Sequence, residues 1–295
     1  MSGYRALLDA LARPRLVGTP QHSTTRDILK RELQARGCVV MEHRFAAAPR
    51  FPLRGRAVAE GVNLIAVRPR VRVTSWLTAH YDSKGQPLSM AARLQLVALA
   101  LAIVPAVLLA TLAGASLWWW LATFLLPAAF LALNVATDGS PGAVDNASGV
   151  LAVLAALDLL PADAPVGAIL LDAEELGLVG ARALVRERAN LLDDTSVINF
   201  DGIDDRGGVV AFAHRSGPVT RRVADRLGAR PRRRLPVVVD GLALAQASRE
   251  CLTIMKGDWG TARVVHTPRD TADRLTLTGV DQVARAVVTA LNPHP

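Results

Sequence analysis

Two histidines and a set of carboxylates occupy short runs whose make-up suits metal chemistry. His80-Tyr81-Asp82-Ser83 puts an imidazole two residues from a carboxylate. Asp145 stands beside Asn146 within Gly142-Ala143-Val144-Asp145-Asn146-Ala147-Ser148-Gly149, Glu174 and Glu175 are adjacent, and Asp201 and His266 follow. Imidazole nitrogens and carboxylate oxygens are the borderline and hard donors that suit zinc, and there are enough here for a pair of ions. Activating water and polarising a carbonyl is the chemistry such a pair offers, so the chain reads as a hydrolase. Each group alone has a blander reading: a His at a strand end is usually a satisfied structural residue, and adjacent carboxylates usually mark a solvated helix start. His22, His43, His214 and His294 take that reading outright, and Asp204 and Asp205 read as loop solvation.

The elements that must carry these groups alternate between strand and helix. Ser23-Thr24-Thr25-Arg26-Asp27 opens a helix with Ile28, Leu29 and Leu33 on one face, stopped by Gly37. Short β-rich runs follow at residues 38–40, 62–67 and 71–78, the last delivering His80. Residues 147–160 read as an apolar helix just after Asp145-Asn146, and 166–171 as a buried strand ending near Glu174-Glu175. Residues 177–187 read as a helix, and 197–200 as a strand ending at Asp201. This alternation predicts an α/β fold with a mostly parallel or mixed sheet sandwiched by helices. In such sheets function collects beyond the carboxyl ends of the strands, where His80, Glu174, Glu175 and Asp201 all fall.

Residues 94–137 contain no Asp, Glu, Lys or Arg until Asp138. They divide into Leu94–Ala113 and Leu117–Ala136 around Gly114-Ala115-Ser116, and each half would span about 30 Å, the hydrocarbon thickness of a bilayer. The expectation is an inserted two-helix transmembrane hairpin that contacts the lipid bilayer through residues 94–137 and divides a catalytic domain made of 1–93 and 138–295. Pro105 and Pro127 are tolerable in membrane helices, and Trp118-Trp119-Trp120 lies where an aromatic belt belongs. Both ends of a hairpin emerge on one side. Lys84, Arg93 and the Arg-rich body share that side while the turn is uncharged, so the catalytic domain is expected in the cytosol. The hairpin's place between the first ligand motif and Asp145 sets the membrane surface at the mouth of the site, a position suited to presenting apolar peptides.

Bulk properties agree with one domain carrying an insertion. The chain has 295 residues, 51% of them hydrophobic, and a mean hydropathy of +0.27. Charges at Arg5, Asp9, Arg13 and Arg15 interrupt any apolar run before Pro20, which argues against a cleavable secretory signal. Cys38 and Cys251 have neither metal-pair nor redox spacing and read as two buried thiols. Net charge is +8, with Arg215, Arg221, Arg222, Arg226, Arg230 and Arg232–Arg234 clustered. That cluster is either a solvated face or a contact for anionic lipid headgroups. Nucleic acid is not expected, because no binding motif accompanies the charge and aromatics make up only 4% of the chain.

Five runs resemble the M28 metallopeptidases, the zinc aminopeptidases and carboxypeptidases with a co-catalytic metal pair. They are His80-Tyr81-Asp82-Ser83, the Gly142–Gly149 run, Asp172-Ala173-Glu174-Glu175-Leu176-Gly177-Leu178-Val179-Gly180, Asn199-Phe200-Asp201 and His266-Thr267-Pro268-Arg269-Asp270-Thr271. They occur in family order along most of the chain. The resemblance implies the phosphorylase/hydrolase-like zinc exopeptidase fold, a peptide substrate and two zinc ions per chain. It further implies that Asp145 bridges the ions, that His80 and Asp201 complete one and Glu175 and His266 the other, and that Glu174 is the general base for a water between them. Asp82 either fixes the tautomer of His80 from its far nitrogen or caps a turn. Asn146 stands where the family uses a residue in an often cis linkage. The match departs from the family at Val239-Asp240-Gly241-Leu242-Ala243, which resembles the specificity stretch only loosely. Nor does any tyrosine lie between Asp201 and His266 to serve as an oxyanion donor, a role left to Trp259, a backbone amide or the metals. The implied activity is removal of N-terminal residues. The alternatives are a glutaminyl cyclase-like enzyme with one zinc, which shares the His-Tyr-Asp-Ser-Lys run, or an inactive membrane scaffold of the same fold.

Overall fold

The computed structural model describes residues 2–292 apart from 50–57, 115, 117, 122, 124, 126–132, 134 and 234–236. Among these residues seven strands form one mixed sheet: β1 (Val39–Ala47), β2 (Ala59–Val67), β3 (Ser75–His80), β4 (Val166–Leu171), β5 (Ser196–Ile203), β6 (Gly208–Arg215) and β7 (Glu250–Gly257). Their order is β1-β2-β4-β3-β5-β7-β6. The four central strands β4, β3, β5 and β7 are parallel, and antiparallel pairings add β2 and β1 at one edge and β6 at the other. Every residue of β3 and β4 is buried, which is why β4 reads as an unbroken apolar run rather than an alternating one.

Helices cover both faces. On one side α1 (Ser2–Leu11), α2 (Pro20–Ala35), α4 (Gly149–Leu159), α6 (Pro218–Arg226) and α9 (Thr278–Leu291) share a core with Leu64, Leu77, Ile198 and Ile254 of the sheet. On the other, α5 (Val179–Leu192) and the short α7 (Gly241–Leu244) pack on Ile65, Trp76, Ile169 and Val197. Neighbours such as Leu64 and Ile65 thus face opposite layers, as the strand period of two requires. Helix α4 is apolar all round because it is enclosed between the sheet and α9.

Local chemistry moves some expected boundaries. Helix α2 starts at Pro20, before the expected Ser23, because Thr19 caps it from its side chain and Pro20 takes the first helical position. Strand β3 starts at Ser75 rather than Val71. Helix α1 was not anticipated, since its charges Arg5 and Asp9 interleave with the buried Leu8 and Leu11. Cys38 and Cys251 are free and buried, as expected.

Helix α3 (Met90–Leu112) stands apart from this core. It is capped by Ser89 and runs through Pro105, and at 1.5 Å per residue it is about 34 Å long. Its apolar side chains face outward, Leu101 at 72% exposure and Leu112 at 77%, and of its residues only Ala91 and Val107 are buried. A surface this apolar is not a stable contact with water. The second expected membrane helix falls largely on residues 117, 122, 124, 126–132 and 134, outside the described residues. The segment's two ends meet: Gly85 and Thr137 form an antiparallel bridge with reciprocal N–H to carbonyl bonds of 2.6 and 2.8 Å.

Candidate metal centre

Three parallel strands, one broken helical turn and one loop supply the centre. His80 ends β3, Glu174 and Glu175 lie in a single 3-10 turn three residues beyond β4, and Asp201 sits near the carboxyl end of β5. Asp145 lies in the turn Ala143–Ser148, where its own backbone and that of Asn146 leave helical geometry and the bond between them is cis. His266 follows the short α8 (Trp259–Ala262) and adopts a positive φ of 66°.

These groups converge. His80 Nε2 is 3.1 Å from Asp145 Oδ1, and His266 Nε2 is 3.0 Å from Asp145 Oδ2 and 3.3 Å from Glu175 Oε1. One carboxylate thus offers a separate oxygen to each imidazole. The donor atoms of His80, Asp145 and Asp201 lie within 4.8 Å of one another, as do those of Asp145, Glu175 and His266. Two such triads sharing Asp145 could each surround an ion with bonds of about 2 Å. Glu174 belongs to neither triad but lines the same cavity as Asp145, Glu175, Asp201 and His266.

The backbone around these groups explains their placement. At Gly142, whose φ is +61°, a Cβ would come within 2.4 Å of the Asp145 carbonyl oxygen and 2.7 Å of the Ser83 side chain. A side chain there would push the Asp145 turn away from β3. Asn146 clamps that turn to β5: its Nδ2 donates to the Phe200 carbonyl (2.9 Å), and its Oδ1 accepts from Gly202 N (3.0 Å) and Gly149 N (3.1 Å). Those first two bonds straddle Asp201. Asp270 accepts from the amides of Val144 (2.8 Å) and Asp145 (3.1 Å), fixing the turn from the other side.

Asp82 stands between His80 and the glutamate turn. Its Oδ1 is 3.4 Å from His80 Nδ1, and its two oxygens accept from the amides of Glu174 and Glu175 at 3.1 Å each. Asp82 also reaches the imidazole through its backbone carbonyl, 3.2 Å from His80 Nδ1, while its carboxylate caps the glutamate turn. That turn is bounded by left-handed residues, Ala173 (φ 56°) before it and Gly177 and Leu178 (φ 102° and 59°) after it. Left-handed backbone at a non-glycine residue is costly and held only by its surroundings, and here it aims two carboxylates into the cavity.

The electrostatics are those of a site crowded with carboxylates. Burial opposes charge on Asp145, but hydrogen bonds from His266 and His80 outweigh it and hold the carboxyl well below its usual range. Burial likewise opposes charge on Glu175, and His266 with Lys84 brings it down to about 2. Burial, with Glu175 and Asp240 adding to it, pushes Glu174 well above the ordinary value. Asp201 is pushed up to about 7, by burial first and then by Asp145 and Glu175. A divalent pair would supply the positive charge this arrangement calls for, and the donor set of two imidazoles and three carboxylates fits zinc.

Several participants were not picked out from sequence. Lys84, read as a charge flanking the membrane segment, is buried and bonds Glu175 Oε2 at 2.8 Å. Arg15 is buried behind the site and donates to the carbonyls of Tyr81 (2.6 Å), Leu11 (2.9 Å), Pro141 (2.5 Å) and Gly142 (2.9 Å), joining α1 to two ligand-bearing segments. Asp240 is fully buried, its oxygens lack hydrogen-bond partners among the described residues, and burial followed by Asp82 and Asp201 raises its carboxyl well above the usual range. Asp204 proves to be a buried hub rather than solvated loop, accepting from Thr261 Oγ1 (2.7 Å) and Arg274 (2.8 Å). Trp259 is 44% exposed and is not among the residues lining the cavity. His22 and His43 are structural: His22 stacks on Tyr81 and bonds buried Asp172, and His43 bonds Asn63 and Glu187.

Comparison with known proteins agrees with this architecture. The chain superposes on a Zn-dependent exopeptidase from Parabacteroides distasonis with a TM-score of 0.68 at 16% identity, covering 99% of this chain and 96% of that one. It is similar to a glutaminyl cyclase from Porphyromonas gingivalis (TM-score 0.66, 17% identity, 99% and 97% covered) and to an aminopeptidase from Aneurinibacillus sp. strain AM-1 (0.64, 12%, 99% and 93%). Likeness at these identities establishes the fold. No curated protein sequence matches the chain. The model of peptidase family M28 matches residues 63–291, a span that contains every group of the metal centre, and the chain belongs to that family.

Proposed function

We propose that the chain is a dizinc exopeptidase, an aminopeptidase that removes N-terminal residues from peptides and is held at a membrane by residues 94–137. The observation that carries the reading is the sharing of Asp145 between two imidazoles, with Glu174 facing the same cavity unattached to either triad. In this reading His80, Asp145 and Asp201 hold one zinc, and Asp145, Glu175 and His266 the other. When bound, the pair would lower the pKa of water toward neutrality and polarise the scissile carbonyl. Glu174 accepts the proton of the attacking water and returns it to the leaving amine. Asp82 keeps His80 and the glutamate turn in register, and Lys84 holds Glu175 ionised.

Zinc content measured on purified full-length protein, with digestion of a peptide library read by mass spectrometry, tests this directly. Two zinc ions per chain and stepwise loss of N-terminal residues are expected. One zinc with cyclisation of N-terminal glutamine would favour the glutaminyl cyclase reading, to which the Porphyromonas gingivalis likeness lends support. Absence of zinc and of turnover would leave a scaffold.

The membrane reading draws support from α3, whose mean hydropathy over 18 residues reaches 2.4. Lys84 cannot serve as a free topological charge because it is bonded to Glu175, so a cytosolic placement rests on the exposed arginines of α6 and its flanks. Because Gly85 and Thr137 are already bridged, joining Arg93 to Val135 by a Gly/Ser link should close a short loop at small entropic cost. The shortened protein should leave the membrane fraction and retain zinc. It should lose more activity on apolar, membrane-bound peptides than on small soluble amides. Failure to fold would make the segment part of the core, and equal losses would make it an anchor alone.

A further inference from the structure

The cavity at the metal centre has a volume of about 480 Å³, within the range of small-ligand pockets. Its floor carries Asp145, Glu174, Glu175, Asp201 and His266. One wall comes from the β6–β7 edge through Val210, Phe212 and Met255. The facing residues Met90, Leu94 and Val97 belong to the first turns of α3. Positions 90, 94 and 97 are spaced four and three apart and so form one stripe on the helix. Gln95, on another face, is exposed and is not among the lining residues. The base of this stripe is fixed to the catalytic rim, since Gln86 N donates to the His266 carbonyl (2.8 Å), Arg93 bonds Gln86 and Ala91 is buried.

The same helix that turns Leu101 and Leu112 outward therefore completes the pocket with its first turns. We propose that Met90, Leu94 and Val97 are specificity-determining residues, and that the pocket they close selects a substrate residue with a bulky apolar side chain. This rests on the exopeptidase reading for the position of the scissile bond. The binding preference itself follows from the apolar lining: a leucine- or phenylalanine-sized group removes more apolar surface from water than a methyl group does. The lining also carries Lys84, Arg93, Arg232 and Lys256, of which Lys84 is bonded to Glu175 and Lys256 to the carbonyls of Asp204, Asp205 and Arg206.

The test uses the full chain, zinc-loaded, in phosphatidylcholine vesicles, with single cysteines introduced as Leu94→Cys, Val97→Cys and Gln95→Cys; the native cysteines are buried. Alkylation by a water-soluble maleimide is timed with no ligand and with glycinamide, leucinamide or phenylalaninamide. Leucinamide and phenylalaninamide should slow labelling several-fold at positions 94 and 97, glycinamide should not, and position 95 should ignore all three. Labelling at 94 and 97 that is indifferent to every amide, or slowed equally at 95, overturns the proposal. In a second arm, Leu94→Trp should reduce the ratio of kcat/KM for phenylalanine over alanine anilides by about tenfold or more, the scale on which apolar pockets discriminate. An unchanged ratio counts against the assignment. Wild-type protein that cleaves neither anilide but shows the shielding pattern would overturn the aminopeptidase reading and leave the pocket assignment standing.

Discussion

Glu174→Gln should retain its zinc and lose turnover by a factor of about 10²–10⁴, the usual worth of a general base. Glutamine preserves the shape of the side chain but cannot take a proton, and Glu174 lies outside both triads of donor atoms, so the metal has no reason to leave. The neighbouring change, Glu175→Gln, should act on a different quantity. Glu175 faces His266 Nε2 at 3.3 Å and Lys84 Nζ at 2.8 Å, and removing its charge leaves the buried ammonium unpaired as well as taking away a ligand. That variant should lose metal before it loses anything else. Zinc content and kcat measured side by side separate the two, and near wild-type turnover in Glu174→Gln would mean that the base lies elsewhere.

Asp145→Ala should empty both halves of the centre together. Its two oxygens face different imidazoles at 3.1 and 3.0 Å, so both triads depend on this one side chain. His80→Ala or His266→Ala removes a donor from only one triad and should chiefly weaken one ion. Metal analysis across a zinc titration distinguishes loss of two equivalents at once from stepwise loss. Retention of two ions by Asp145→Ala would rule out a dinuclear centre bridged there.

What could be read from the sequence follows from what side-chain pattern reports. β4 is announced by its apolar run and β3 and β5 by β-rich stretches, and because parallel strands place their carboxyl ends on one rim, His80, the Glu174-Glu175 pair and Asp201 can be brought together from the sequence. Asp145 and His266 lie on irregular backbone, and only the family resemblance assigned them a place. The antiparallel edge β6–β7 escaped notice because Gly208–Arg215 exposes one flank and carries charge at its end. Buried polar groups were the least legible. Arg15, Asp204 and Asp240 look like surface residues in a sequence; Arg15 and Asp204 find partners 50 to more than 100 positions away, and no local pattern encodes the burial of any of the three. Lys84 was misread for the same reason: a lysine ahead of an apolar segment resembles a topological signal until its ammonium is seen on Glu175.

The bridge between Gly85 and Thr137 holds the two ends of the segment that carries α3 together. Opposed residues in such a bridge sit about 5 Å apart, so the stretch beyond Arg93 can be lengthened or shortened while the bond from Gln86 to His266 is kept. This is a socket, and a segment of another length could be plugged into it. If that segment anchors the chain and closes the pocket as proposed, replacing it would exchange cellular address and substrate preference in a single event, while the groups gathered around Asp145 stay in place.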